Sequence, residues 1–279
     1  MNLSVSDVFW PKNDSSFLKE VAALGINQVE LSAGHFRDFL SDGFFDSLSE
    51  ALDEYDLDIS SLICLFHGLK GSICWDRGDV FLEHFSSYIE WIRRFEPISL
   101  VFDDPNLRRR GSLNMNESLD CAADWLRRLS VIMEGLPTHL CVKPSPAVYK
   151  GEFAFSHTQT FDLVRKVKAR RVAVSLDTGA MQINGESPEA VLSALMGCFY
   201  HVTICDPGFR PLGKDSDLTF HRHVARSLLA SDYPGEITLC FKPEGSLHDS
   251  LARSVDFVRD VYFGDNFRKR PSKGNGRSR

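Results

Sequence analysis

The sequence has no G-x-G-x-x-G and no G-x-x-x-x-G-K-[ST], so neither of the two common nucleotide-cradling loops is present. No apolar run approaches the roughly 20 residues that cross a bilayer, and Met1 to Pro11 lack the basic start and long apolar core of a secretion signal. A cytoplasmic protein without membrane contact is expected. There is no C-x-x-C pair, and the seven cysteines are an odd number, which argues against a disulfide framework and against a structural zinc knuckle. Excess positive charge is also missing. A net charge of -6 and a pI near 5.9 exclude a general nucleic-acid binder.

What is there is an ordinary globular composition, 43% hydrophobic and 25% charged, in 279 residues. That length suits one (β/α)8 barrel of about 250 residues, without a second domain. Residues 1–266 are assigned to the barrel and 267–279 to a basic tail. Phe267 to Arg279 carries six Lys or Arg with Pro and Gly but little apolar content, a composition expected to be disordered.

Alternation of short apolar runs with helical stripes supports this fold class, α/β with a single TIM barrel. Strands are expected at Leu3 to Phe9, Ile26 to Leu31, Leu57 to Phe66, Ile98 to Phe102, His139 to Lys143, Arg171 to Asp177, Phe199 to Cys205 and Gly235 to Phe241. Between them lie helical patterns. Asp14 or Ser15 can cap the first, and the Phe81, Phe85, Tyr88, Ile89, Ile92 stripe predicts one helix over Asp79 to Phe95. Ser187-Pro188 starts a later one.

Several apolar runs end in chargeable residues: Glu30, His67, Asp103-Asp104, Lys143, Asp177 and Lys242. In a parallel barrel such strand ends gather on the face that carries chemistry. The segments HLCVKP and TLCFKP repeat a pattern that places Lys143 and Lys242 at two of these exits. At Asp177-Thr178-Gly179, the glycine is expected to permit a tight turn. Arg210 follows strand seven. Arg108-Arg109-Arg110 can hold a phosphate or carboxylate, or be a solvated charge run. His221 and His223 are expected at the surface. Trp10 and Trp75 are placed to wall a pocket or to pack as lid or core.

LGINQVEL, HVTICD, VSLDTGA and SDYPGEITLCFKPEG resemble the xylose isomerase-like TIM barrels, and the resemblance runs from about Leu3 to Phe263. That superfamily includes sugar isomerases, sugar 3-epimerases, hydroxypyruvate isomerase and endonuclease IV. The resemblance implies a divalent metal held by Glu, Asp, His and Glu at the ends of strands five to eight. Here these positions carry Lys143, Asp177, Thr203, and either Cys240 or Lys242, so no metal ligand set and no cofactor is expected. The family's DTGH reads DTGA.

The resulting expectation is a metal-independent isomerase or epimerase acting through an enolate on a small polar carbonyl, hydroxy-acid or sugar-like metabolite. Lys143, Asp177, Lys242, Glu30 and His67 are its candidate catalytic residues; Arg210, Asp104, Trp10, Thr203 and Cys240 are candidates for binding substrate. Two alternatives stand beside it: a lyase using a Schiff-base lysine, and a noncatalytic ligand-binding or partner-binding protein. The expected partner is a small molecule, and a homo-oligomer is compatible with the sequence.

Overall fold

Eight parallel strands close into a barrel in strict chain order in the computed structural model, which describes residues 1–11, 16–36, 41–75 and 78–264. The strands are β1 (Asn2–Ser6), β2 (Gln28–Ser32), β3 (Asp58–Ile63), β4 (Ser99–Phe102), β5 (His139–Val142), β6 (Val172–Asp177), β7 (Phe199–Ile204) and β8 (Glu236–Leu239). Pairing of Asn2 to Val5 with Glu236 to Leu239 closes the ring. The expected barrel is therefore present. Asp14, Ser15 and the 265–279 segment lie outside the described residues.

The helices are α1 (Ser16–Ala23), α2 (Ala33–Phe36), α3 (Asp42–Glu54), α4 (Asp79–Ser86), α5 (Ile89–Phe95), α6 (Met115–Ile132), α7 (His157–Val167), α8 (Thr178–Asn184), α9 (Pro188–Ala194), α10 (Leu218–Ala230) and α11 (Leu247–Val258). The single helix expected over Asp79 to Phe95 is divided. Ser86 and Ser87 hydroxyls donate to the Leu82 and His84 carbonyls, which competes with the helical ladder and separates α4 from α5. Its inward stripe survives, because Phe81, Phe85, Tyr88 and Ile92 are all buried.

Two layers of packing follow from the alternation along each strand. Val5, Val29, Leu62, Leu100, Leu140, Val174, Val202 and Leu239 are buried under the helices. The lumen is unusually polar. Ser4 meets Ser60 at 2.8 Å, and Glu30 on β2 reaches His201 on β7 at 2.8 Å, a contact between non-adjacent strands that only the barrel interior permits.

The Arg108-Arg109-Arg110 run is not a solvated charge face. Arg108 is fully buried and donates to the carbonyls of Phe102 (3.0 Å) and Lys143 (2.6 Å), tying the exits of β4 and β5 together. Burial lowers its pKa to about 10, leaving it a cation at neutral pH. Arg109 pairs with Glu152 at 3.4 Å. His221 is likewise buried rather than superficial, held between Tyr262 Oη (2.7 Å) and Asp206 (3.1 Å), whereas His223 is half-buried and pairs with Glu189 at 2.8 Å.

Candidate active site

At the carboxyl ends of the strands, Lys143 and Asp177 form a buried ion pair. Lys143 Nζ lies 2.9 Å from Asp177 Oδ2 and donates to Thr203 Oγ1 at 3.1 Å, so β5, β6 and β7 converge on one ammonium group. Lys143 is 6% exposed and Asp177 4%. Burial pulls the lysine's pKa down, but the carboxylate beside it outweighs that effect and raises it well above the ordinary value. For Asp177 burial pushes upward and Lys143 pulls harder downward, so the pair is ionised.

Asp177 is also the N-cap of α8, accepting from the Ala180 N–H at 2.8 Å. The tight turn expected at Gly179 is thus the first turn of a helix, and Gly179 is needed for a different reason. A Cβ there would lie 2.9 Å from Cys205 Sγ and 3.1 Å from the Asp206 carbonyl. Gly179→Ala is expected to destabilise the fold by about 1–3 kcal/mol through this overpacking, measurable as a lowered midpoint in urea unfolding. Beneath the strand end, the Asp177 N–H donates to His157 Nε2 (3.0 Å), and His157 Nδ1 faces Glu186 at 2.8 Å. This support was not foreseen; a histidine at a helix start carries no local pattern that reveals it.

A second pair lies deeper. Glu30 is completely buried, bonded to His201 Nε2 and to the Ser61 hydroxyl, both at 2.8 Å, while His201 Nδ1 meets Ser175 Oγ at 2.8 Å. Burial acts to raise the Glu30 pKa, and the His201 charge and hydrogen bond with help from Lys143 bring it below normal. His201 was not among the residues singled out from the sequence, although alternation with Thr203 on β7 puts both into the lumen.

The other expected site residues separate in space. Cys240, directly after β8, is 2% exposed and its thiol pKa is pushed to about 12 by burial, while Lys242 two residues on is exposed. The strand-eight position of the ligand ring therefore belongs to a neutral thiol, and the two lysines do not share one buried centre. The Lys242 N–H instead donates to the Phe209 carbonyl at 2.6 Å. The Phe209 ring centroid is 5.9 Å from Lys143 Nζ, and the same ring packs on Phe9 (5.0 Å) and Tyr149 (6.0 Å), roofing the ion pair. Arg210 is a largely exposed residue 3.8 Å from Asp206. Trp10 is buried edge-on against Phe17.

A cleft of about 550 Å³ opens at the exits of β3 and β4. Cys64, His67, Lys70, Trp75, Asp103, Asp104 and Arg109 are among its lining residues. The β4 exit that forms one wall is joined to β5 through the backbone, since Phe102 pairs with Val142 and the Lys143 N–H donates to the Phe102 carbonyl at 3.0 Å, but neither Lys143 nor Asp177 is among the residues that line the cleft. Asp103 accepts from the Cys64 N–H at 3.2 Å and its pKa is raised by burial. Burial and then the adjacent Asp103 raise Asp104 to about 6.

A divalent metal does not fit these residues. Among the described residues no group of three or more His, Cys, Asp or Glu side chains is arranged to hold one, and the surviving carboxylate of the ring is already bonded to an ammonium. Among the described residues no helix is long and apolar enough to cross a membrane.

Comparison with known structures finds the same barrel fold in several solved proteins. A D-psicose 3-epimerase from Clostridium cellulolyticum H10, solved with D-tagatose, superposes with a TM-score of 0.79 at 13% identity, covering 94% of this chain and 99% of that one. A 3-keto-D-glucoside 4-epimerase from E. coli gives 0.73 at 16% identity over 92% and 99% of the two chains. The IOLI protein, solved with a zinc atom, gives 0.73 at 17% identity over 94% and 98%. A sequence search of curated proteins finds no match. The family model for the xylose isomerase-like TIM barrel matches residues 18–261, and the chain belongs to that family.

Proposed function

We propose that the protein is an isomerase or epimerase-like enzyme that moves a proton beside the carbonyl of a small polyhydroxy compound, with the Lys143 ammonium serving in place of a metal ion. The buried Lys143–Asp177–Thr203 cluster carries this reading. An ammonium group has three N–H donors. Two are taken by Asp177 and Thr203, and the third is available to a substrate oxygen. A fixed cation in a water-poor site stabilises the oxyanion that develops as the neighbouring C–H bond breaks. The similarity to sugar epimerases supports the substrate class.

The Schiff-base alternative is disfavoured, since a lysine held protonated by a carboxylate 2.9 Å away is a poor nucleophile. A second reading draws on the Phe209 roof: with both partners of the ion pair nearly inaccessible, the barrel would bind a ligand in the neighbouring cleft without turning it over.

Solvent exchange separates the two. Protein stripped with a chelator and incubated in D2O with ketoses and aldoses is expected to exchange the proton next to the carbonyl, followed by loss of that proton's NMR signal. Activity that disappears on chelation and returns with zinc or manganese would overturn the metal-free mechanism. Binding of the same sugars with no exchange in any of them would favour the second reading.

A further inference from the structure

Two half-buried thiols that the proposed mechanism does not use meet between a loop and a helix. Cys74 lies in the segment that joins β3 to α4, and Cys121 lies in the second turn of α6. Each sulfur reaches into the other's segment. Cys74 Sγ is 3.7 Å from the carbonyl of Ser118, which precedes Cys121 by one turn of α6, and Cys121 Sγ is 3.6 Å from the carbonyl of Ile73, the neighbour of Cys74. The two side chains are also in hydrogen-bond contact with each other. We propose that Cys74 and Cys121 form an oxidative modification site, where a peroxide converts the pair to a disulfide that fastens the Trp75 segment of the cleft wall to α6. The proposal is independent of the chemistry assigned to Lys143.

Access and surroundings single this pair out. Cys205 and Cys240 also act on each other, but at 1% and 2% exposure they are closed to solvent. Cys64 is half-buried on the cleft wall, where burial and the Asp103 carboxylate oppose its ionisation. Within the pair the two sulfurs have different roles. Burial, and then the charge and hydrogen bond of Cys121, push the Cys74 thiol up to about 12, so Cys74 is protonated at neutral pH and Cys121 supplies the thiolate. The backbone around Cys74 belongs to the cleft. Ser72 Oγ lies 3.1 Å from the Leu107 carbonyl and 2.6 Å from that of Arg109, and the Ile73 N–H donates to Leu107 at 3.0 Å. Trp75, the residue after Cys74, lines the cleft together with Arg109 and packs over Gly111, where an added Cβ would lie 3.1 Å from its Nε1. A bond from Cys74 to α6 therefore removes states in which this wall lifts away.

The oxidant is hydrogen peroxide, and the steps balance with it alone. The Cys121 thiolate attacks one peroxide oxygen; an S–O bond forms, the O–O bond breaks, and the departing hydroxide leaves as water with the proton that Cys121 gave up. Cys74 sulfur then attacks the sulfenic sulfur of Cys121. The S–S bond forms as the S–O bond breaks, and the second hydroxide takes the Cys74 proton to become water. Two thiols lose two electrons in total, and one peroxide is reduced to two waters. A dithiol reductant reverses the change by thiol–disulfide exchange.

The test treats the full-length protein with hydrogen peroxide at neutral pH and digests it without reductant. Wild type is expected to yield a peptide joining Cys74 to Cys121, lighter by two hydrogen atoms than the thiol form and separated by dithiothreitol. Cys74→Ser should stop one step earlier, with a sulfenic acid on Cys121 that dimedone traps, and Cys121→Ser should give no adduct on Cys74. Amide hydrogen exchange at residues 72–75 should slow by about tenfold or more on oxidation and recover on reduction. Peroxide-treated Cys74→Ser should show no such slowing. The wild-type digest decides the matter even if a variant fails to fold. Residues 74 and 121 left as thiols, overoxidised without a cross-link, or bypassed by a bridge between Cys205 and Cys240 would refute the site. A Cys74–Cys121 bridge that leaves exchange at residues 72–75 unchanged would refute its action on the cleft wall.

Discussion

Lys143→Met is expected to lose about 3–5 kcal/mol of stability at pH 7.5 and to slow proton exchange by about 100-fold to 1,000-fold. The methionine fills much of the lysine's volume, so cavity formation contributes little. The loss comes from Asp177, whose carboxylate stays buried after its cation has gone. With Lys143 removed, burial dominates Asp177 and raises its pKa, so the variant takes up a proton on folding. Its stability should therefore increase as pH falls from 8 toward 5. The wild type should not show this, because there Asp177 is held below its unfolded value; its contribution is present above about pH 4 and is lost only as pH falls further. Urea unfolding at several pH values distinguishes the two patterns. A double variant, Lys143→Met with Asp177→Asn, should regain part of the stability and none of the activity. Equal stability of Lys143→Met and wild type across pH would contradict the buried ion pair.

Glu30→Ala is expected to destabilise the barrel by about 3–5 kcal/mol, because His201 and Ser61 lose their shared acceptor in the closed lumen. Glu30→Gln should lose less, since the amide oxygen still accepts one hydrogen bond. The pH signature is again specific. With its folded pKa below the unfolded value near 4.5, Glu30 contributes stability above that value, and the contribution is lost as pH falls through the folded pKa. Glu30→Gln should flatten the acid side of the stability curve. A Glu30→Ala protein as stable as wild type would show that the lumen network is dispensable.

The barrel was legible because its strands announce themselves twice, by alternation and by the chargeable residue at each exit. Glu30, Lys143, Asp177 and Thr203 all project into the lumen or its mouth, as strand periodicity implies. Lys242 shows where this reasoning stops. Its segment copies that of Lys143, but β8 ends at Leu239, Cys240 takes the buried position, and the chain has left the strand by residue 242. A two-residue difference in strand length is invisible in an apolar run. His201 and His157 were missed because their significance depends on partners 171 and 29 residues away, Glu30 and Glu186. The cleft was legible only in fragments, through Asp104, His67 and Trp75, since a concavity is a property of loops brought together rather than of any one of them. His67 was expected at the third strand's exit, but Cys64 adopts φ 55° and turns the chain, leaving His67 exposed in the loop beyond.

The seam between β1 and β8 has a consequence for how the molecule is made. Residues 2–5 are synthesised first among the strands, and their partners at 236–239 last. During translation at about 5–20 residues per second, β1 therefore waits roughly ten seconds or more with one edge unpaired. Over that interval the growing sheet presents open hydrogen-bonding edges, the feature that invites association between nascent chains. Yield in the cell should consequently depend on how quickly the ribosome reaches β8 and on chaperone cover until then, even for substitutions that leave the finished barrel unchanged.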